Sequence, residues 1–478
     1  MERTLTKFAV YTRICVIILQ YFSNILIPDH VADAFVYPQA SNISYNVIDS
    51  VVRHTLRGFV RWDAQYFMHI ATYGYTFENT LAFFPLYPLL SRLCALVVCS
   101  VFPWMSLDSV LLLVFIGLNI ILFVLSAKAL FKLTTIFSNK TVAYKSTLLF
   151  CINPASIFFS APYSECLFYY LTLQTVLNSI VLYKTYSKVK FKVDYRHILY
   201  ILPIGLSAVV RSNGILNIGF LVYAYICICI KHWPRNNFIR RIIFITKAMF
   251  IISLLTIICL LPYSVYQVYC YYMFCRNFDI ELPSNIVVSA RRNDYVLPGQ
   301  FSKYNQSWCY DRIPHAYSYV QNHYWKVGFL KYYELKQLPN FLLAAPVLII
   351  LIKMSCQHII HNASKNVIHI FSFDKLFNKK KEVDIKCNPI LNVFVIHMMF
   401  LLLFCISFVH IQVSTRMLCS ASPLFYWYCA SFFKDTTLGS FSDAFSRKIS
   451  LGEYIIIVYF LSYFFVGTVM FCNFLPWT

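Results

Sequence analysis

The sequence predicts an all-α polytopic membrane protein, a single bundle of about ten or eleven transmembrane helices. Three observations predict it. Only 13% of the 478 residues are charged and 59% are hydrophobic, whereas a soluble domain carries about 25% charged residues; the mean hydropathy is +0.61. Apolar runs of about 20 residues recur along the chain, continuous rather than alternating, which fits helices and disfavours a β-barrel. The net charge of +21 comes from Lys and Arg gathered in short loops between these runs, the habit of cytoplasmic loops rather than of a nucleic-acid surface.

The first apolar run, 8–27, follows Glu2, Arg3 and Lys7 and contains Arg13. It is too long for a signal-peptide core and reads as an uncleaved signal anchor with a cytosolic N-terminus. A polar segment, 28–81, follows and is long for a mere connector. Within it, residues 44–57 predict an amphipathic helix with Arg53, His54 and Arg57 toward water. Residues 62–73 predict a second, because Trp62, Tyr66, Phe67, Ile70 and Tyr73 recur at helical spacing. Both are expected in the membrane interface, with His69 on the wet face. Further spans are expected at 82–102 (opened by Pro85 and Pro88), 108–127, 143–160, 163–183, 198–230 as two short ones, 242–270, 340–354, 390–410, 412–432 and 453–472.

Basic loops at 128–145, 184–197, 231–247 and 375–386 all ask to be cytosolic. They cannot all be so if every span crosses. At least one span, with 82–102 and one half of 198–230 as candidates, is therefore re-entrant or miscounted. A second polar segment, 271–339, falls on the face opposite the basic loops, with 28–81; residues 355–388 read as a basic cytosolic loop. Of four sequons, at Asn42, Asn139, Asn305 and Asn362, the first and third lie in the two polar segments, as a lumenal face requires. The 17 cysteines are mostly inside apolar runs, without CxxC or Cys/His spacing, so no zinc site is expected. Cys270, Cys275 and Cys309 lie in or beside the second segment, where a lumenal setting permits a disulfide of unassigned pairing. No fixed-period repeat and no matching pair of broken spans is evident, which weighs against a transporter.

Chemistry concentrates in residues 58–88, GFVRWDAQYFMHIATYGYTFENTLAFFPLYP, where Asp63 is the acidic residue beside Trp62. Asp63 is either a working carboxylate on the membrane surface or the cap of a short interfacial helix. No P-loop, GxGxxG, HExxH or GxSxG pattern occurs in a usable context. What remains are polar groups beside apolar spans: Asn153, Ser164 and Glu165 in NPASIFFSAPYSE, Arg211 in RSNG and Arg416 in QVSTR. A charge at mid-membrane costs roughly 2.5–3.5 kcal/mol, so such residues face a cavity or partner unless they snorkel from a span end. Glu165 reads equally as a structural ion-pair partner. A carboxylate among cations suits a lipid-linked phosphate donor held by Arg or Lys and a hydroxyl acceptor deprotonated by Asp. One carboxylate also fits inverting transfer, since retention usually takes two. This permits a glycosyltransferase without selecting one.

The stretches RWDAQYFMHIATYGY…AFFPLYP, NPASIFFSAPYSE, RSNGILNIGF, SYVQNHYWKVGFLKYYELKQLPNFLLAAP and HIQVSTRMLCSASPLFYWY resemble, in order, the GPI mannosyltransferase 2 family, the second mannosyltransferases of GPI-anchor assembly. The YWKVGFLKYYELKQLPNF run is the most specific of them. The resemblance implies a GT-C-type enzyme of the endoplasmic reticulum membrane with a lumenal active site. It would transfer an α1,6-linked mannose, with inversion, from dolichyl-phosphate-mannose to the mannosyl-glucosaminyl-acylphosphatidylinositol acceptor, without nucleotide or other cofactor; nothing demands a metal. A small membrane subunit assists some members. The family's Trp-Asp pair falls on Trp62 and Asp63. Asp63 is then the expected base on the acceptor 6-hydroxyl, and Trp62 a sugar-stacking wall or a packing anchor. Arg211, Arg416 and Lys336 are the phosphate-holding candidates, with Glu165 and Asn153 as further substrate-side residues. The rival readings are a lipid transporter or scramblase and a non-catalytic subunit of a glycolipid-assembly complex. Either would tolerate loss of Asp63.

Overall fold

The computed structural model describes residues 1–39, 45–187, 196–234, 238–362, 391–433 and 450–477. Within them the regular structure is helical, and an isolated bridge between Asn277 and Gln300 is the sole β pairing among the described residues. The helices are α1 Glu2–Leu26, α2 Val47–Leu56, α3 Asp63–Tyr73, α4 Leu86–Val101, α5 Leu107–Phe137, α6 Lys140–Cys151, α7 Glu165–Tyr186, α8 Arg196–Ala208, α9 Ile218–Lys231, α10 Phe238–Phe274, α11 Ser284–Asn293, α12 Phe301–Tyr304, α13 Ala316–Trp325, α14 Leu338–Asn362, α15 Asn392–Ser407, α16 Ser414–Ala421, α17 Leu424–Ala430 and α18 Leu451–Cys472. Seven helical stretches are long and apolar enough to cross a membrane, and α4 and α15 are shorter apolar helices. The 16 residues of α4 rise about 24 Å at 1.5 Å each, short of a hydrocarbon core of about 30 Å. The polytopic all-α expectation holds, with seven full-length candidate spans and two shorter apolar helices among the described residues.

Two of the expected runs break for a local reason, and a third divides as expected. The run 143–160 stops at Cys151 because Pro154 follows Asn153 and cannot continue a helix; the chain turns instead into a 3-10 segment, Ser156–Phe159. The run 412–432 breaks between α16 and α17 at Ser422–Pro423. The run 198–230 does divide in two, through a 3-10 turn at Ser212–Asn217. There a Cβ on Gly214 would lie 2.0 Å from the Ser207 carbonyl oxygen, so only glycine lets the turn press against α8.

Helices α5 and α7 are buried on most sides and form the centre of the bundle, against α1, α4, α6, α8 and α9. Arg13, mid-way along α1, is fully buried. One of its terminal nitrogens donates to the Ser156 carbonyl (2.8 Å) and Ser160 Oγ (2.9 Å), and the other to the Cys151 carbonyl (3.0 Å) and Ser156 Oγ (3.1 Å). Its guanidinium stacks 3.9 Å over the Phe123 ring. The cation thus takes up the last carbonyl of α6 and the first of the 3-10 segment that follows it. By contrast α10 leaves Ile239, Ile243, Phe250, Ile257, Leu261 and Val268 exposed along its length, as suits a helix against lipid.

The two polar segments pack on each other. Glu78 accepts hydrogen bonds from Trp308 Nε1 and Tyr324 Oη, both at 2.9 Å. Next to Trp308, Cys309 is joined to Cys275 by a disulfide; Cys270 is a free, buried thiol. Helix α2 carries a complete capping box, Asn46 with Asp49, and turns His54 and Arg57 outward while Arg53 lies over the Tyr45 ring. Helix α3 does not lie wet in an interface. Ala64 through Ala71 are buried, because α4, α5 and the second polar segment cover it. His69 is fully buried, stacked on Phe77 and hydrogen-bonded through Nε2 to Thr76 Oγ1 at 2.8 Å. The sequon Asn42 and most of the basic loop 355–388 lie outside the described residues.

Burial pushes the His69 imidazole down to about 3 from its ordinary value near 6.5. A depressed folded value means the unfolded chain binds the extra proton, so stability is lost as pH falls below about 6.5. The expected loss from this group is about 1.4 kcal/mol per pH unit, seen as a fall in melting temperature between pH 7 and pH 5 that His69→Gln makes smaller. An equal acid shift in both proteins would remove this role from His69.

Candidate active site

Asp63 is the first residue of α3, and the backbone before it is held in an unusual turn. Trp62 has φ 53° and ψ −125°, a region that favours glycine and costs a bulky residue about 1–3 kcal/mol. Its neighbours hold it there. Arg61 is nearly buried; its Nε donates to the Cys472 carbonyl (3.0 Å), its NH2 pairs with Asp29 Oδ2 (2.9 Å), and its guanidinium lies 4.4 Å over Phe474. From the other side the Asp63 amide donates to Tyr163 Oη at 3.0 Å. The Trp62 ring packs edge-on against Phe474 and also lines the cavity described below. Wall and anchor are therefore compatible for one side chain. Because the strain belongs to the backbone, Trp62→Ala is expected to be less stable than Trp62→Gly by about 1 kcal/mol, read as melting temperature in detergent. Equal stabilities, or the reverse order, would contradict it.

Four charged side chains from four parts of the chain meet in front of this turn. Asp63 Oδ2 lies 2.7 Å from Arg416 NH1. The same guanidinium nitrogen is 3.7 Å from Glu165 Oε1, and Glu165 Oε1 also pairs with Arg211 NH1. Asp63 is the accessible member, its side chain 25% exposed against 0% for Glu165. Arg416 further packs over the rings of Phe158 and Tyr163, each 5.4 Å from its carbon centre. Two carboxylates and two guanidiniums balance, with one cation shared; Glu165 Oε2 stays without a hydrogen-bond partner among the described residues.

These groups line one cavity of about 870 Å³, a size that suits a small-molecule headgroup. Its charged end holds Asp63, Glu165, Arg211 and Arg416. Its apolar side includes Phe400, Phe404 and Phe408 from the end of α15, all partly exposed on the outside of the bundle. The cavity therefore runs up to an exposed apolar edge.

Of the residues singled out in the sequence, Trp62, Asp63, Glu165, Arg211 and Arg416 converge here. Two do not line the cavity. Lys336 projects into solvent and pairs with Glu334 at 2.6 Å. Asn153 is buried and spent locally, donating to the Phe150 carbonyl (2.9 Å) and accepting from the Ala155 amide (2.9 Å), so it forms the turn that Pro154 enforces. Sequence reasoning passed over Tyr163, which touches both Asp63 and Arg416 although it lies in the same 153–165 stretch. It also missed Ser212 and Tyr317, hydrogen-bonded to each other at 2.9 Å on the cavity wall, and Gln412, one helical turn before Arg416.

Residues 2–478 match the family model described as mannosyltransferase (PIG-V). The GPI mannosyltransferase 2 of Drosophila pseudoobscura pseudoobscura is 34% identical over 491 residues, with 100% of both chains covered. The GPI alpha-1,6-mannosyltransferase 2 of Homo sapiens is 31% identical over 509 residues, covering 100% of this chain and 99% of that one. Among solved structures, an Archaeoglobus fulgidus oligosaccharyltransferase tethered to an acceptor peptide aligns with a TM-score of 0.43 and 11% identity, over 97% of this chain; this chain spans about half of that one, 55%. The chain therefore belongs to the mannosyltransferase (PIG-V) family, with GPI mannosyltransferases among its full-length relatives.

Proposed function

We propose that the chain adds the second, α1,6-linked mannose to the GPI-anchor precursor, taking it from dolichyl-phosphate-mannose on the lumenal face of the endoplasmic reticulum membrane. The observation that carries this reading is the cavity itself: a part-exposed carboxylate, Asp63, held 2.7 Å from a buried guanidinium, Arg416, beside an exposed aromatic edge.

Asp63 acts as general base. It takes the proton of the acceptor 6-hydroxyl as that oxygen bonds to the donor's anomeric carbon, and the bond from that carbon to the phosphate oxygen breaks. Dolichyl phosphate leaves with the electron pair, and its growing charge is met by Arg416 and Arg211. The phosphate is already a good leaving group, so no second carboxylate is needed as acid. A single displacement turns a β-linked donor into an α-linked product. Glu165, walled in behind both guanidiniums, keeps them apart and aimed; Trp62 shapes the wall beside the base.

A lumenal site is supported by chemistry on the same side of the bundle. The Cys275–Cys309 disulfide belongs in an oxidising compartment. Its neighbour Trp308 is hydrogen-bonded to Glu78 in the segment that carries Asp63. The sequon residue Asn305 is exposed on this face as well.

Microsomes from cells lacking their own second GPI mannosyltransferase test the proposal. Given the full chain, labelled dolichyl-phosphate-mannose and a one-mannose precursor, they are expected to form the two-mannose product. Well-folded protein that forms none would overturn it, and lipid translocation without transfer would favour the transporter reading.

A further inference from the structure

The most specific sequence run, 324–341, takes no part in the chemistry above, yet four of its residues line the same cavity. It is docked onto the end of α15. The Leu330 amide donates to the Ser407 carbonyl (2.7 Å) and Tyr333 Oη to the Ile406 carbonyl (2.9 Å), which occupies two carbonyls of the last helical turn. The Tyr332 ring stacks on the His410 imidazole, centroids 4.5 Å apart.

The Tyr332 hydroxyl is the hub of an amide network. Asn340 Nδ2 donates to it at 2.9 Å, and its single proton serves Gln337 Oε1 (2.7 Å) or Gln412 Oε1 (3.1 Å). Asn340 Nδ2 also reaches Gln337 Oε1 at 2.8 Å. The Asn340 nitrogen is engaged twice, so its oxygen is left to accept; Gln412 has one end of its amide against the Tyr332 hydroxyl and the other end left free. Asn340, His410 and Gln412 all line the cavity, and Trp325 offers an indole wall beside them. Burial lowers the His410 imidazole from its ordinary value, which keeps this end uncharged near neutrality.

We infer that Asn340, His410 and Gln412, oriented by Tyr332, form a subsite for the hydroxyls of a neutral sugar. A phosphate would call for cations, and the side chains of Asn340 and Gln412 carry no charge. A sugar hydroxyl both donates and accepts, and here it meets the free ends of two amides tied to one tyrosine hydroxyl. Gln412 lies one turn before Arg416, so the sugar read here is next to the reacting centre. The sugar is either the acceptor glycan or the donor mannose, which share this chemistry. Tyr332 is a positioning residue. The inference rests on the mannosyl-transfer reading.

The test uses the full chain in nanodiscs, as wild type, Gln412→Ala, Asn340→Ala and Tyr332→Phe, each checked for an unchanged melting temperature. Losing one neutral hydrogen bond is expected to raise a KM about three- to ten-fold. A rise confined to the one-mannose precursor assigns the subsite to the acceptor. A rise for dolichyl-phosphate-mannose, with inhibition by sugar-free dolichyl phosphate unchanged, assigns it to the donor mannose. Unchanged KM values, or dolichyl phosphate inhibition weakened in step with donor use, would overturn the subsite. Saturation-transfer NMR with octyl mannoside reads the subsite without turnover. A wild type that transfers nothing yet binds octyl mannoside in a Gln412-dependent way would sink the transfer reading and leave the subsite standing.

Discussion

Glu165→Ala is expected to yield little folded protein, with a loss of about 3–5 kcal/mol, the range for removing one partner of a buried ion pair. Glu165 is completely buried and its Oε1 serves two guanidiniums, Arg211 and Arg416. Without it, Arg416 keeps Asp63, but the carboxylate that pairs Arg211 is gone. Glu165→Gln separates charge from shape. It is expected to fold, since an amide oxygen can still accept from both arginines, but to transfer mannose poorly because Arg416 is no longer balanced between two carboxylates. Detergent melting curves and microsomal transfer measured on the same preparations check both. If Glu165→Ala melts like wild type, the carboxylate is not the bracket described.

Much of the site was legible in the sequence because charge inside an apolar run is conspicuous. Arg211 and Arg416 stand out by their surroundings, and both do face a cavity. What periodicity cannot supply is who meets whom: Arg211 and its partner Glu165 are 46 residues apart, and only the crossing of helices joins them. Lys336 misled because it sits in the most specific run, whose cavity-lining members are Trp325, Val327, Gly328 and Asn340, while Lys336 turns to water and Glu334.

The fold was legible to the same depth. Helix α3 was foreseen within a residue, since aromatic groups mark one face. Its surroundings were not. A helical wheel sees His69 on a polar face, but that face is covered by Phe77 and the second polar segment, which lies far along the chain. The breaks inside two apolar runs have another origin. Hydropathy averages over Pro154 and Pro423, whereas the backbone stops at them. Arg13 was noticed inside the first span but its purpose was not, because the carbonyls it binds exist only once α6 has broken.

The second large effect concerns Asp63. Asn at this position keeps the size of the side chain and an oxygen that can accept from Arg416, so the cavity and the turn at Trp62 should persist. It removes the group proposed to accept the acceptor's proton, which is worth about 10²–10⁴-fold in rate. The direct measurement is single-turnover transfer from labelled dolichyl-phosphate-mannose to the one-mannose precursor by wild type and Asp63→Asn at matched folded amounts. A drop of at least about a hundred-fold, with donor affinity little changed, is the predicted result; two-mannose product formed at the wild-type rate by Asp63→Asn would contradict the account.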